Sequence, residues 1–454
     1  MDLTHDTIAA IATPPGLGGI GIIRISGPDT IQIVSKIFPK KNDLTPRHVY
    51  YGDIRHPVTG DILDEACVIY FKAPQSFTGE DVAEIQTHAG PYILNSILAS
   101  ILEIGARLAF QGEFTKRAFL NGKIDLTKAE SIIDLIHAKN AKSHQVALAH
   151  HKGALYTHIS AIRLTLMTLL EQMEGSIDFP EEVDSIDKFE LKAQIKTILN
   201  TLSHILTLQD FGKLATGGIN CLIVGEPNAG KSSLFNQLLG QNRSIVTPVA
   251  GTTRDFIDGQ IELGGLTFNL IDTAGYREAT DYIESLGIKR ISQLVKKAHV
   301  ILWVIDQSRS FSDTYLPLMA KIKKKPLYLI LNKSDLKKRT FIDQIDDMAR
   351  WPVIHTSAKK NSGLDQLKER LYTDFVSKFQ HIDLDLICNV RQVHCLKEVQ
   401  LHLNHLKEAL DLGFEDDIMA IDLKSAILKL GEITGEEITE EVLDGIFSRF
   451  CVGK

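Results

Sequence analysis

The chain has 454 residues, 44% hydrophobic and 24% charged, with a formal net charge of −7. It is too long for one hydrophobic core, so we expect several domains, and its acidic balance argues against a nucleic-acid surface spread over the whole chain. No apolar run approaches a membrane span, and the five cysteines are scattered without metal-ligand spacing, which favours a reduced, cytoplasmic protein that does not contact membranes (Cys67, Cys221, Cys388, Cys395, Cys451).

The first part of the chain mixes two kinds of pattern. Apolar runs at 21–25 and 66–71 predict strands, and 93–104 predicts a helix. Residues 1–118 are therefore interpreted as an α+β domain. Residues 119–215 are predicted to be helical, because apolar side chains recur at steps of three and four (Leu155, Ile159, Ile162, Leu166, Leu169, Met173, then Ile195, Ile198, Leu202, Ile205).

The pattern changes at Thr216. Five apolar strands are predicted, separated by helices: 219–224, 266–271, 300–305, 327–331 and 352–356. Such alternation predicts a mostly parallel sheet with helices on both faces, over 216–378. Helical spacing returns over 379–454 (Leu396, Val399, Leu403, Leu406, Leu410). We expect this stretch to pack with 119–215, so that the α/β domain is inserted into a split helical domain of a multidomain α/β protein.

Residues 225–232 match the phosphate-binding loop of nucleotide hydrolases. The pattern Gly-x-x-x-x-Gly-Lys-Ser directly follows a predicted strand and opens a predicted helix at Ser233. Glycines let several backbone N–H groups point at phosphate. Lys231 is predicted to reach the β- and γ-phosphates, and the Ser232 hydroxyl is predicted to bind Mg²⁺.

Further motifs follow downstream in the order expected of a guanine nucleotide site. Asp272-Thr273-Ala274-Gly275 follows the second predicted strand, where Asp272 can hold the outer shell of the metal. Asn332-Lys333-Ser334-Asp335 follows the fourth strand, and the Asp335 carboxylate can accept from guanine N1–H and the exocyclic amine, which adenine lacks. Ser357-Ala358-Lys359 follows the last strand and offers a backbone N–H to the guanine oxygen. Together these motifs predict a GTP-hydrolysing enzyme.

The residues that activate water are less defined. Thr253 is predicted as the second hydroxyl ligand of Mg²⁺. Tyr276 occupies the position where many GTPases carry a water-orienting glutamine. Asn228 can instead help to bind a monovalent cation beside the phosphates. The carboxylates after Gly275 are open alternatives for orienting the water (Glu278, Asp281, Glu284).

The chain resembles the MnmE (TrmE) family of tRNA modification GTPases over its whole length. The resemblance rests on the phosphate loop with Pro227-Asn228 and on several further segments (12–16, 24–27, 76–81, 112–114, 118–123, 251–255 and the final Cys451-Val452-Gly453-Lys454). It implies a homodimer that hydrolyses GTP in a potassium-dependent way. It also implies an FAD-containing partner, MnmG (GidA), with which an aminomethyl-type or carboxymethylaminomethyl group is installed on C5 of the wobble uridine of certain tRNAs.

The resemblance also assigns residues. Glu284 matches the catalytic glutamate, and potassium would be held by Asn228, Thr247, Val249 and Thr252. A 5-formyltetrahydrofolate-type one-carbon donor would contact Arg24, Glu84, Lys123 and Lys454, and Cys451 is a candidate in the modification chemistry. The motifs and the resemblance together predict a full set of GTP contacts: Asn228, Ala229, Gly230, Lys231, Ser232, Ser233, Thr247, Pro248, Val249, Ala250, Gly251, Thr252, Thr253, Asp272, Thr273, Ala274, Gly275, Asn332, Lys333, Asp335, Ser357, Ala358 and Lys359.

Two other functions are compatible with a guanine nucleotide site. The first is a GTPase of ribosome assembly, although the RNA-binding Gly-x-x-Gly loop often appended in that class does not occur after residue 380. The second is a scaffold that switches with nucleotide and does not hydrolyse it.

Overall fold

The computed structural model describes residues 6–39, 44–179, 181, 186–241, 259–272, 293–310, 322, 325–338 and 351–454. The chain forms two compact units. The first comprises Met1–His137, Ala147–Leu206 and Val390–Lys454, and the second comprises Ala138–Val146 and Thr207–Asn389. Sheets and helices occur in the combination expected of a multidomain α/β protein, so the predicted fold class is confirmed.

The first unit begins with a six-stranded sheet of order β3-β4-β5-β2-β1-β6, antiparallel except between β1 and β6. Its core lies between the sheet and two helices, and is built from alternate strand residues such as Ile23, Ile25, Val68 and Ile85. The elements are β1 (Ile8–Ile11), β2 (Gly21–Ser26), α1 (Thr30–Ile37), β3 (Val49–Arg55), β4 (Ile62–Phe71), β5 (Val82–Thr87), α2 (Pro91–Glu103) and β6 (Arg107–Leu108).

Helices form the rest of the first unit. The apolar seams predicted from the sequence are buried in α6 and α7 and again in α11. Ion pairs join chain segments far apart, as between Arg391 and Glu130 at 2.8 Å and between Lys192 and Asp411. The helices with residues in this unit are α3 (Glu113–Leu120), α4 (Leu126–His137), α5 (Ala141–His151), α6 (Ala154–Asp178), α7 (Lys188–Thr207), α11 (Val390–Leu412), α12 (Asp416–Thr434) and α13 (Glu440–Phe447).

The second unit contains the parallel sheet, of order β12-β11-β10-β7-β9-β8. Strands 300–305 and 327–331 are continuous apolar runs because both faces of the sheet are buried, and each face carries its own hydrophobic core. Among the described strands of this sheet, only 259–263 is antiparallel to its neighbour. The elements are α8 (Gln209–Gly217), β7 (Ile219–Gly225), α9 (Lys231–Gln241), β8 (Gly259–Leu263), β9 (Leu266–Asp272), β10 (Val300–Asp306), β11 (Leu327–Asn332), β12 (Val353–His355) and α10 (Leu364–Leu371).

The second unit also includes short segments outside 216–378. The Asn140 amide donates to the Ala215 carbonyl at 3.0 Å and to the Thr267 hydroxyl at 3.1 Å. Gly212 lies so close to Ile387 that an added Cβ would come within 2.7 Å of its methyl group. These contacts tie residues 138–146, 207–217 and 379–389 to the parallel sheet. Functional domain boundaries at 118, 215 and 378 remain a proposal.

None of the helices in the described part of the chain combines the length and the apolar character that a bilayer crossing requires.

Candidate functional site

The phosphate loop joins the end of β7 to the start of α9 and is shaped by two glycines. Gly225 has φ +152°, and a Cβ there would lie 2.1 Å from the Val304 carbonyl oxygen on β10. Gly230 has φ +95°, and a Cβ would lie 2.2 Å from Asn332 Nδ2. Any side chain at either position would clash with neighbouring strands or loops, so both positions require glycine.

Asn228 lies between these glycines in a left-handed backbone conformation, with φ +62°. Asparagine tolerates this region better than most residues. The tight curl of the loop therefore depends on a third residue besides the glycines.

Lys231 begins α9 and is only 6% exposed. Its ammonium group donates to the carbonyls of Gly225 at 3.1 Å and Glu226 at 2.8 Å. These bonds hold the charge over the loop, where phosphate lysines act.

Ser232 and Asp272 meet as the metal prediction requires. The Ser232 hydroxyl donates to Asp272 Oδ2 at 3.0 Å, and Asp272 is 8% exposed at the carboxyl end of β9. A hydroxyl and a carboxylate form the hard oxygen pair that Mg²⁺ prefers, so these two residues fit a magnesium ion.

The residues predicted to recognise the base also come together. The Ser357 hydroxyl donates to Asp335 Oδ1 at 2.6 Å, and Lys360 N donates to that hydroxyl at 3.2 Å. The hydrogen bond from Ser357 lowers the pKa of Asp335. Asp335 therefore stays ionised and keeps an acceptor for guanine N–H groups.

Asn332 ties the phosphate loop to the base-binding segments. Its Nδ2 donates to the Ala229 carbonyl at 2.8 Å, while its Oδ1 accepts from Ala358 N at 3.1 Å and from Thr356 Oγ1 at 3.3 Å. The side chain is 1% exposed. Asn332 thus connects three loops, in addition to being a predicted GTP contact.

Asp306 was not predicted and accompanies Lys333. Lys333 Nζ lies 2.6 Å from Asp306 Oδ2, and Ser308 donates to the other carboxylate oxygen at 2.6 Å. Burial raises the pKa of Asp306, but the hydrogen bonds from Lys333 and Ser308 outweigh burial and leave it lowered. In the sequence, Asp306 is marked only as an acidic residue at the carboxyl end of an apolar strand.

The remaining nucleotide predictions divide in two. Ser233 lies on α9. The Ala358 carbonyl accepts a hydrogen bond from the Gln237 amide, and Lys359 is the next residue along the chain. Eleven predicted residues lie outside the described residues: Thr247, Pro248, Val249, Ala250, Gly251, Thr252, Thr253, Thr273, Ala274, Gly275 and Glu284. The open alternatives Glu278 and Asp281 lie outside as well.

The predicted folate residues belong to the first unit. Arg24 and Glu84 face each other across β2 and β5, and both Arg24 Nε and Nη2 donate to Glu84 Oε1, at 3.0 and 2.8 Å. The guanidinium carbon lies 5.7 Å from the ring centres of Phe77 and Phe114. We call Arg24, Glu84, Phe77, Phe114 and the nearby Gly453 the Arg24 cluster.

The chain end reaches this cluster. Gly453 O accepts from Arg24 Nη1 at 3.5 Å, and Val452 forms a bridge with Gln111. Gly453 has φ +95°, and a Cβ would lie 2.4 Å from the Ile11 carbonyl. The tail therefore brings Lys454 near Arg24, and Cys451 is exposed.

Lys123 lies beside the loop that carries Phe77. Its Nζ donates to the Pro74 carbonyl at 2.8 Å, and its stem passes close to Gly79. Lys123 is thus positioned through this loop.

Known proteins match the chain along its whole length. The family described as GTP-binding protein TrmE N-terminus matches residues 7–123, and the MnmE helical domain matches residues 126–451. The tRNA modification GTPase MnmE of Natranaerobius thermophilus is 41% identical over 459 residues, 100% of both chains. That of Thermotoga maritima is 39% identical over 452 residues, covering 99% of this chain and 100% of its own.

Among solved structures, the G domain of the T. maritima FeoB iron transporter is similar over 34% of this chain and 97% of its own, with 27% identity and a TM-score of 0.27. That score is too low to support an argument about the fold, so the family assignment rests on the full-length relatives. The family resemblance seen in the sequence is confirmed: the chain belongs to the MnmE family of tRNA modification GTPases.

Proposed function

We propose that this protein hydrolyses GTP and that hydrolysis serves the modification of tRNA in the cytoplasm. The proposal is carried by the full-length likeness to tRNA modification GTPases. It is supported by two residue pairs, Ser232 with Asp272 and Asp335 with Ser357, which suit a metal-bound phosphate and a guanine base.

The phosphate loop would bind the triphosphate through backbone N–H groups and Lys231. Because Lys231 now donates to two loop carbonyls, GTP phosphates would replace those acceptors. Ser232 and Thr253 would hold Mg²⁺, with Asp272 accepting from its water shell; bound there, the ion neutralises charge on the β- and γ-phosphate oxygens.

Selection of guanine depends on the ionised Asp335. Its carboxylate would accept two hydrogen bonds from guanine, and adenine would leave those oxygens facing an acceptor edge. A backbone N–H of 357–359 would donate to the guanine oxygen; at present Ser357 N donates to the Ser362 carbonyl and Ala358 N donates to Asn332 Oδ1.

Activation is proposed to come from potassium and from pairing of two copies of the chain. Asn228 would hold K⁺ together with Thr247, Val249 and Thr252, where the cation replaces an arginine finger. Glu284 would orient the attacking water directly or through a second water.

The modification step is proposed to draw on the Arg24 cluster. Arg24 offers guanidinium N–H groups and Glu84 offers acceptors beside two aromatic rings, which suits a ligand with carboxylates and a flat heterocycle. Together with Lys123 and Lys454 these residues would bind a 5-formyltetrahydrofolate-type donor. The FAD-containing partner MnmG would supply the redox chemistry by which C5 of the wobble uridine is modified.

The hydrolysis proposal is tested by phosphate release from the full-length protein in magnesium with GTP or ATP, in potassium or sodium salts. We expect release with GTP only, and faster release in potassium. An absence of release in both salts contradicts hydrolysis, and equal rates contradict the potassium role.

The tRNA proposal is tested by mass spectrometry of tRNA from a deletion strain carrying the parent gene, Lys231→Ala or no copy. We expect modified wobble uridines only with the parent gene. If the wobble uridines are still modified in the deletion strain that carries no copy of the gene, the tRNA role is refuted, whereas the proposal of GTP hydrolysis is unaffected.

A further inference from the structure

A cluster of metal-ligating side chains joins two helices of the first unit and contains none of the residues assigned above. His402 and His405 lie on α11, three residues apart and therefore on one face of the helix. Asp422 lies on α12, which follows α11 through the short turn 413–415. The ligand atoms of these three side chains all lie within 4.8 Å of one another.

The distances suit a small divalent ion. His402 Nδ1 and His405 Nδ1 lie 2.9 and 3.8 Å from Asp422 Oδ1. Ligands at about 2.0–2.2 Å from a tetrahedral zinc ion are about 3.3 Å apart, a value between those two distances.

The environment favours entry of an ion. His405 is 52% exposed, while His402 and Asp422 are about a quarter exposed. The ion can thus arrive from solvent, yet two ligands are partly held by packing. Two imidazoles and one carboxylate are the donors that zinc-class ions prefer, and three protein ligands leave one position for water.

We propose that His402, His405 and Asp422 bind one zinc-class divalent ion that links α11 to α12. The ion would replace the hydrogen bond between His402 and Asp422 and the longer approach of His405 to Asp422 with three coordinate bonds. Since the unfolded chain does not hold these residues together, binding would stabilise this helix pair.

The test is a titration of untagged, chelator-treated full-length protein with Zn²⁺ by calorimetry, with Co²⁺ as a visible-absorption probe. His405→Ala is the main variant, because an exposed side chain is removed and the helix core is untouched. Asp422→Asn is the second, since it keeps the side-chain volume. His394→Ala is the matched control, an exposed histidine on the same helix outside the cluster.

We expect the parent and His394→Ala to bind one equivalent that both cluster variants lose or bind at least about tenfold more weakly. The Co²⁺ band should weaken in the same two variants. An absence of Zn²⁺ binding in the parent overturns the proposal. Unchanged binding in His405→Ala and Asp422→Asn, or an equal loss in His394→Ala, also overturns it.

Discussion

Replacing Asn332 by alanine should uncouple the phosphate loop from the base-binding segments. The change removes the hydrogen bonds to the Ala229 carbonyl and from Ala358 N and Thr356 Oγ1. A buried polar group left without a partner costs about 1–3 kcal/mol. The Ala229 carbonyl and the Thr356 hydroxyl are buried, whereas the half-buried Ala358 N–H can regain water, so we expect a total of about 2–6 kcal/mol.

Part of this cost would appear in nucleotide binding. Ala229 and Ala358 are proposed GTP contacts, so the variant would have to order both loops when GTP binds. At about 1.4 kcal/mol per tenfold change, we expect affinity for GTP and GDP to fall about 10- to 100-fold.

The assay is titration with a fluorescent GDP analogue, with thermal unfolding of the nucleotide-free protein measured in parallel. Asn269→Ala is the matched control: Asn269 is also 1% exposed, in the same unit, and its amide donates to the Gly217 carbonyl and to Asn220 Oδ1, both at 2.9 Å. It should lose stability without a comparable loss of GDP affinity. If Asn332→Ala binds GDP as tightly as Asn269→Ala, the connecting role is refuted.

Further outcomes are expected at both candidate sites. Asp335→Asn should shift preference away from GTP, checked by competition binding with xanthosine and guanosine nucleotides, since an acceptor becomes a donor. Ser357→Ala should raise the pKa of Asp335, because the hydrogen bond that lowers this pKa is removed. As the pH is lowered, the variant should therefore lose GDP affinity at a higher pH than the parent does. Superimposable profiles of GDP affinity against pH would contradict this. Glu284→Ala should slow turnover with GTP affinity nearly intact, and equal loss of binding would remove its catalytic role. Arg24→Ala should abolish folate binding in a calorimetric titration without altering GTP hydrolysis, and it leaves Glu84 without this partner.

The parallel sheet was well predicted because its signals are local. Central strands buried on both faces are continuous apolar runs, and each predicted strand there agrees with the structure to within one or two residues. Strand β8 was missed, since Gln260 and Glu262 interrupt its apolar pattern and its place is set by pairing with β9.

The sequence indicates which residues belong to the candidate site better than it indicates which of them contact one another. Glycine, lysine and carboxylate motifs carry their chemistry in a few adjacent residues, so Lys231, Ser232 and Asp335 could be named from the sequence. The contacts of Asn332 reach a residue 103 positions away, and the pairing of Lys333 with Asp306 spans 27 positions. No local pattern encodes such distances, because they follow from strand order in the folded sheet.

The docked tail has a consequence for how the protein is made. Arg24 and Gly453, which meet in the Arg24 cluster, are 429 positions apart. The strands of the N-terminal sheet therefore emerge early in synthesis, but this corner of the sheet is complete only after residue 453 has emerged. A chain truncated inside the parallel sheet would contain β1 to β6 but would lack Gly453. The Arg24 cluster is therefore complete only in a chain whose translation has passed through both units.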